Sequence, residues 1–139
     1  MKRWKLSWRG RIEVRVLLDT AVLIFASISP ERLSKRATAI LENDASVLEL
    51  SAVSLSEIAI KAALGKLRIS AAVARRALED LGIRVLPYTA NHAFQLFDLP
   101  LHHSDPFDRQ IIAQVLSEKI PIVTSDDKFS LYKGLKLIW

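Results

Sequence analysis

Four acidic residues recur at comparable places along this chain: Asp19, Glu57, Asp108 and Asp126. Asp19 directly follows the apolar, β-rich run Val14-Arg15-Val16-Leu17-Leu18, and Asp126 follows Ile120-Pro121-Ile122-Val123 after only Thr124 and Ser125. Glu57 falls in the first turns of a helix entered from a second apolar run, and Asp108 in the first turn of a helix beginning at Pro106. In an open parallel sheet, ligand sites gather outside the carboxyl ends of the strands, near the switch point. Chain order alone places Asp19, Glu57 and Asp126 there, and a helix N-terminus at Asp108 can join them. If the four converge to about 7 Å, each pair repels by roughly 2.4 kcal/mol and the set by about 14 kcal/mol before screening. That rivals the roughly 5–15 kcal/mol stability of a domain, so such a cluster needs cations. An oxygen-only ligand set suits Mg²⁺ or Mn²⁺, ions that activate water and stabilise the oxyanions of a phosphodiester being cut.

Each acid also has a purely structural explanation. Asp105, Pro106 and Asp108 make a good helix start: a cap, a proline at the first position and an acid at the third. Glu57 would be favoured by a helix dipole and paired with Lys61 four residues on. Asp126-Asp127 reads as a turn. Asp19 resists such an account best, because it is embedded in Leu17-Leu18-Asp19-Thr20-Ala21-Val22-Leu23. It is the shared placement of the four that favours a site.

The elements that must position these residues follow from periodicity and punctuation. Strands are predicted at 14–18, 47–53, 83–86 and 120–123, with a fifth at 135–138. Helices are predicted at 31–43 with Ser34 as cap, from Ser54 through Leu64 to a stop at Gly65, and at 71–81 before Gly82. Two more are predicted after Thr89 through Phe97, and at 106–119. Short apolar strands alternating with helices imply an α/β fold with a central parallel sheet of four to five strands covered on both faces. There is no internal repeat, and 99–105 is the one irregular stretch, carrying His102, His103 and Asp105.

Bulk properties bound the answer. At 139 residues the chain suits one domain. The absence of cysteine excludes disulfides, zinc–thiolate sites and thiol nucleophiles. The net charge of +5 equals the surplus from Lys2, Arg3, Lys5, Arg9 and Arg11 in an acid-free N-terminus, so charge alone supports a polyanionic partner only weakly. Residues 1–12 read as a basic, disordered extension, with Trp4 and Trp8 spaced as on one face of a short helix, and 13–139 as the domain. The basic start and the apolar run Ala21-Val22-Leu23-Ile24-Phe25-Ala26 outline a secretory leader, but Asp19 interrupts it and no run reaches membrane-spanning length. The reading is a soluble cytoplasmic protein.

With these residues in view, the chain resembles a PIN domain of the VapC toxin type over about 14–139. The resemblance rests on Leu17-Leu18-Asp19-Thr20, Ser56-Glu57-Ile58-Ala59-Ile60-Lys61 with Gly65-Lys66-Leu67, Asp105-Pro106-Phe107-Asp108-Arg109, and Thr124-Ser125-Asp126 with Phe129, four pieces in order at matching separations. It implies a three-layer α/β/α fold, Mg²⁺- or Mn²⁺-dependent endoribonuclease activity on RNA, dimerisation, and neutralisation by a cognate antitoxin. It also implies that Asp19, Glu57, Asp108 and Asp126 form the acidic, metal-binding quartet. Thr20 and Ser125 would be supporting hydroxyls, and Asp105 a helix cap or a ligand through water. Arg109, Lys61 and Lys66 are candidate phosphate contacts, each with surface ion pairing as the alternative. His102 and His103 could touch phosphate or aid proton transfer, although loop histidines are commonly just solvated. The sequence departs from the family in its long N-terminus, in Ser56 where many relatives carry tryptophan, and in Asp127 beside Asp126. The chemistry expected is in-line hydrolysis by activated water, without a covalent intermediate.

Two other readings make different predictions. A PIN fold that binds RNA or protein without cutting would have lost part of the acidic set, which is intact here. A receiver-like phosphoacceptor would need an acidic pair where this chain has only Asp19 followed by Thr20, and would be labelled by a phosphodonor.

Overall fold

The structure, a computed structural model, describes residues 4–6 and 12–139, with side chains from Val14 onward. The strands are β1 (Trp4–Leu6), β2 (Ile12–Leu18), β3 (Ser46–Ser51), β4 (Arg84–Leu86), β5 (Ile122–Val123) and β6 (Leu137–Ile138). The helices are α1 (Thr20–Ile28), α2 (Lys35–Glu42), α3 (Ala52–Ala63), α4 (Ala71–Leu81), α5 (Ala90–Phe97) and α6 (Pro106–Glu118). Five strands run parallel in the order β4-β3-β2-β5-β6, and β1 adds antiparallel to β2, pairing Trp4 with Val14. Trp4 therefore lies in a strand rather than on a helix face. Trp8, with residues 1–3 and 7–11, lies outside the described residues.

From β2 the chain winds outward to β3 and β4, then returns to the other side of β2 for β5 and β6. The switch point lies between β2 and β5. Alternate side chains of β2 serve opposite layers. Val16 and Leu18 pack with Val22, Ala37 and Ile58 on one face, while Leu17 packs with Ile111, Ile112 and Val115 on the other. That two-sided burial explains why the strands read as continuous apolar runs, and it is the three-layer α/β/α arrangement.

One buried polar network crosses the second face. Arg15 on β2 donates through Nε to Glu49 Oε2 at 2.9 Å and through Nη2 to Glu49 Oε1 at 3.2 Å and Glu118 Oε1 at 3.1 Å. His92 Nδ1 accepts from the Thr89 N–H at 3.0 Å, so its Nε2 carries the proton that reaches Glu118 Oε2 at 3.0 Å. Hydrogen bonds from His92 and Arg15 hold the Glu118 carboxyl below its ordinary range. The network ties β2, β3, α5 and α6 together.

Most helices begin and end where capping residues stand. Ser34, Ser70 and Thr89 accept from the first-turn N–H groups of α2, α4 and α5, and Gly82 ends α4 with φ at +63°. Two boundaries differ from expectation. Pro30 opens a separate 3-10 turn (Pro30–Arg32), so the predicted helix at 31–43 is split and α2 starts only after Ser34. In addition, β3 ends at Ser51, whose hydroxyl accepts from the Val53 N–H at 3.0 Å, so α3 starts at Ala52, two residues before the expected Ser54. Glu57 consequently stands in the second turn of α3, where the helix dipole gives it less support.

Candidate active site

Each acid reaches the site on a different element. Asp19 is the residue between β2 and α1, and its N–H donates to Val123 O on β5 at 3.0 Å, which fixes it at the switch point. Glu57 comes from α3, Asp108 from the first turn of α6, and Asp126 from the segment after β5. Asp19, Glu57, Asp108 and Asp126 line one cleft of about 240 Å³, together with Asp105, Thr20 and Lys61. Ala21, Ile24 and Leu67 form its apolar wall.

The electrostatics are those of acids held in poor company. Asp19 is only 6 % exposed, and burial pushes its carboxyl from 3.8 up to about 7, with Asp108 and Glu57 adding repulsion. The Thr124 hydroxyl opposes this by donating to Asp19 Oδ2 at 2.8 Å. Asp108 rises to about 6 through burial and through repulsion from Asp105, Asp126 and Glu57. Lys61 Nζ donates to Glu57 Oε2 at 2.5 Å, and that bond raises the lysine above its ordinary value.

The remaining residues predicted for the site divide. Thr20 is buried and its hydroxyl donates to Ser54 Oγ at 2.7 Å, joining α1 to α3, so that its backbone N–H and not its hydroxyl supports the Asp19 carboxylate. Ser125 is exposed. The hydroxyl that meets Asp19 belongs to Thr124, which also accepts from the Asp126 N–H at 3.1 Å. Sequence reasoning passed over Thr124, although the strand ladder points to it: Asp19 bonds to Val123, the residue immediately before it. Asp105 caps α6, its Oδ1 accepting from the N–H groups of Phe107 and Asp108, both at 2.9 Å. Asp105→Ala should therefore cost about 1 kcal/mol of stability in urea unfolding. An unchanged midpoint would show that the cap is dispensable.

Arg109 turns inward, donating to Pro100 O at 2.8 Å, Leu99 O at 3.3 Å and the Tyr132 hydroxyl at 3.1 Å. It clamps the irregular loop. Lys66 is exposed and does not line the cleft. His102 is also exposed, edge-on to Tyr132 with ring centroids 4.9 Å apart. His103 is not merely solvated: it bonds Tyr132 on one side and Asp108 on the other. Tyr132, 29 residues away, left no signal in the local sequence.

Residues 16–135 match the PIN domain family, and the chain belongs to it. No curated protein matches the chain significantly. Several solved structures share the fold. VapBC2 from Rickettsia felis, bound to a DNA fragment from their promoter, is 15% identical, with 89% of this chain and 97% of that one covered and a TM-score of 0.66. VapBC-5 from Mycobacterium tuberculosis, a member of the VapBC toxin–antitoxin family, is 20% identical, covering 89% and 97% with a TM-score of 0.58. VapC20 of the same organism, a sarcin-ricin loop cleaving toxin, is 16% identical, covering 87% and 98% with a TM-score of 0.56.

PIN nucleases generally use divalent metals, and the donors here suit one. Every anionic group lining the cleft is a carboxylate, the ligand type of Mg²⁺ and Mn²⁺. Glu57 Oε1 is buried and has no hydrogen-bond partner among the described residues, which is costly for a carboxylate oxygen unless something cationic meets it. Among the described residues no three His, Asp or Glu side chains are already drawn close enough to enclose an ion. The carboxylates share a cleft without forming a closed ligand set.

Proposed function

We propose that this protein is a Mg²⁺- or Mn²⁺-dependent endoribonuclease that hydrolyses RNA phosphodiester bonds as the toxin of a type II toxin–antitoxin pair. The observation that carries this reading is the convergence of Asp19, Glu57, Asp108 and Asp126 on one cleft at the switch point of a PIN fold. Fold neighbours described as toxins and toxin–antitoxin complexes, one of them cleaving the sarcin-ricin loop, support the substrate class and an antitoxin partner. On this reading the protein works as a cytoplasmic homodimer. No helix of the described residues is long and apolar enough to cross a membrane.

Asp19, Glu57, Asp108 and Asp126 would hold the cation, which when bound supplies an activated water and neutralises charge on the cleaved phosphodiester. The chain's own contribution is placement. The Thr124 hydroxyl orients Asp19, and the α6 cap at Asp105 sets the backbone of Asp108. Lys61, on the cleft rim, can follow Glu57 or turn to an RNA phosphate. The apolar wall of Ala21, Ile24 and Leu67 limits water on one side.

A melting experiment tests the metal requirement without RNA. Mg²⁺ or Mn²⁺ at about 100 times its Kd should stabilise wild type by roughly 2.7 kcal/mol, and more where it relieves repulsion. Asp108→Asn should lose most of that gain. If neither ion moves the wild-type melting temperature, the metal-dependent reading fails and a non-cutting binding module takes its place.

A further inference from the structure

The cleft side of Asp108 is accounted for by the proposed chemistry, but its other side is met by a chain of side chains that chemistry does not use. Arg109 Nη1 donates to the Tyr132 hydroxyl oxygen at 3.1 Å. A guanidinium has donors only, so the tyrosine oxygen accepts here. At the other end the Asp108 carboxylate accepts only, which puts a hydrogen on His103 Nε2 and leaves Nδ1 of the neutral ring to accept from the Tyr132 hydroxyl at 2.7 Å. This fixes the tautomer. His103 Nε2 donates to Asp108 Oδ2 at 3.2 Å. The arginine, a donor only, and the carboxylate, an acceptor only, set the direction of the bonds between them.

The chain is also held firmly in place. Tyr132 is 3 % exposed, and the side chains of His103 and Asp108 are 10 % and 15 % exposed. The loop that carries His103 has no regular structure, yet Arg109 clamps two of its carbonyls. Asp108 Oδ1 has no hydrogen-bond partner among the described residues, whereas Oδ2 is engaged by the histidine. We infer that His103, oriented by Tyr132 and Arg109, is a positioning residue that holds the Asp108 carboxylate in place to receive a divalent cation.

This inference rests on the metal-dependent reading. Partners that hydrogen-bond a ligating carboxylate tune its geometry, and losing one commonly weakens metal binding by about 10- to 100-fold. Without this donor, repulsion from Asp105, Asp126 and Glu57 acts on Asp108 unopposed at Oδ2.

The test is calorimetric titration of Mn²⁺ into the whole protein without RNA, comparing wild type, His103→Ala, His103→Gln and Tyr132→Phe. His103→Ala should weaken Mn²⁺ binding by about 10- to 100-fold. His103→Gln, whose amide N–H can stand where Nε2–H stood, should recover most of it. Tyr132→Phe keeps the ring packing and should show an intermediate loss. A purely structural role would lower melting temperatures while leaving Mn²⁺ affinity of the folded variants unchanged, which overturns the inference. If His103→Ala does not fold, Tyr132→Phe decides: an intermediate loss upholds the inference, and affinity equal to wild type contradicts it. Mn²⁺ binding by wild type that His103→Ala leaves intact refutes the positioning role alone. No Mn²⁺ binding by wild type refutes both this role and the metal-dependent reading.

Discussion

Asp19→Asn is expected to give a folded protein that lacks the proposed RNA cleavage and that, without metal, is more stable than wild type at pH 8. The gain follows from linkage. Burial raises the Asp19 carboxyl from 3.8 to about 7, so between these values the native state binds more protons than the unfolded one. Where the native state binds more protons, stability falls as pH rises. The cost of the charged form is absent below about pH 4, grows through the window and is complete above about pH 7. At 1.36 kcal/mol per unit, this amounts to on the order of 4 kcal/mol as an upper figure. Asparagine keeps an oxygen for the Thr124 hydroxyl and carries no charge. Urea unfolding at pH 4, 6 and 8 should show the variant's advantage widening with pH, and Mg²⁺ should narrow it by stabilising only wild type. A constant difference, or a variant weaker than wild type at pH 8, would contradict the electrostatic account.

The second large effect lies away from the cleft. Arg15→Met should destabilise the protein by about 3–5 kcal/mol, because Glu49 would be left buried with its cation removed. A loss of that size is a large share of the roughly 5–15 kcal/mol available to a domain. Replacing both Arg15 and Glu49 with apolar residues of similar volume should cost much less than Arg15→Met alone. Equilibrium unfolding of the two single variants and the double variant measures the coupling. Additive losses would show that the Arg15–Glu49 pair is not energetically linked.

Legibility in the sequence followed the reach of the interactions. Helices announced by local chemistry were readable to the residue: α4 between Ser70 and Gly82, α5 after Thr89, and α6 from its Asp105-Pro106 start. That the four acids share a cleft was legible because Asp19 and Asp126 follow strands, Asp108 opens a helix and Glu57 rides on the helix entered from β3, ends that parallel topology brings together. Helix α1 was not legible. Its run Thr20–Ile28 is apolar on nearly every side, so it carries no 3.6-residue contrast and resembles a leader segment. The strand predicted at 120–123 shortened to Ile122–Val123 because the Ile120 N–H turns back to Val115 O at the end of α6, and Pro121 has none to give. The Thr124 contact with Asp19 and the Tyr132–His103–Asp108 chain join residues 105 and 29 apart in sequence, and nothing local encodes them.

Metal-dependent ribonuclease activity is tested by incubating purified protein with total cellular RNA in Mg²⁺, in Mn²⁺ and in EDTA, beside Asp19→Asn. Discrete fragments that require a divalent ion and Asp19 are expected, with ends that identify the cleaved site. Fragments that persist in EDTA, or that Asp19→Asn produces equally well, would contradict that activity.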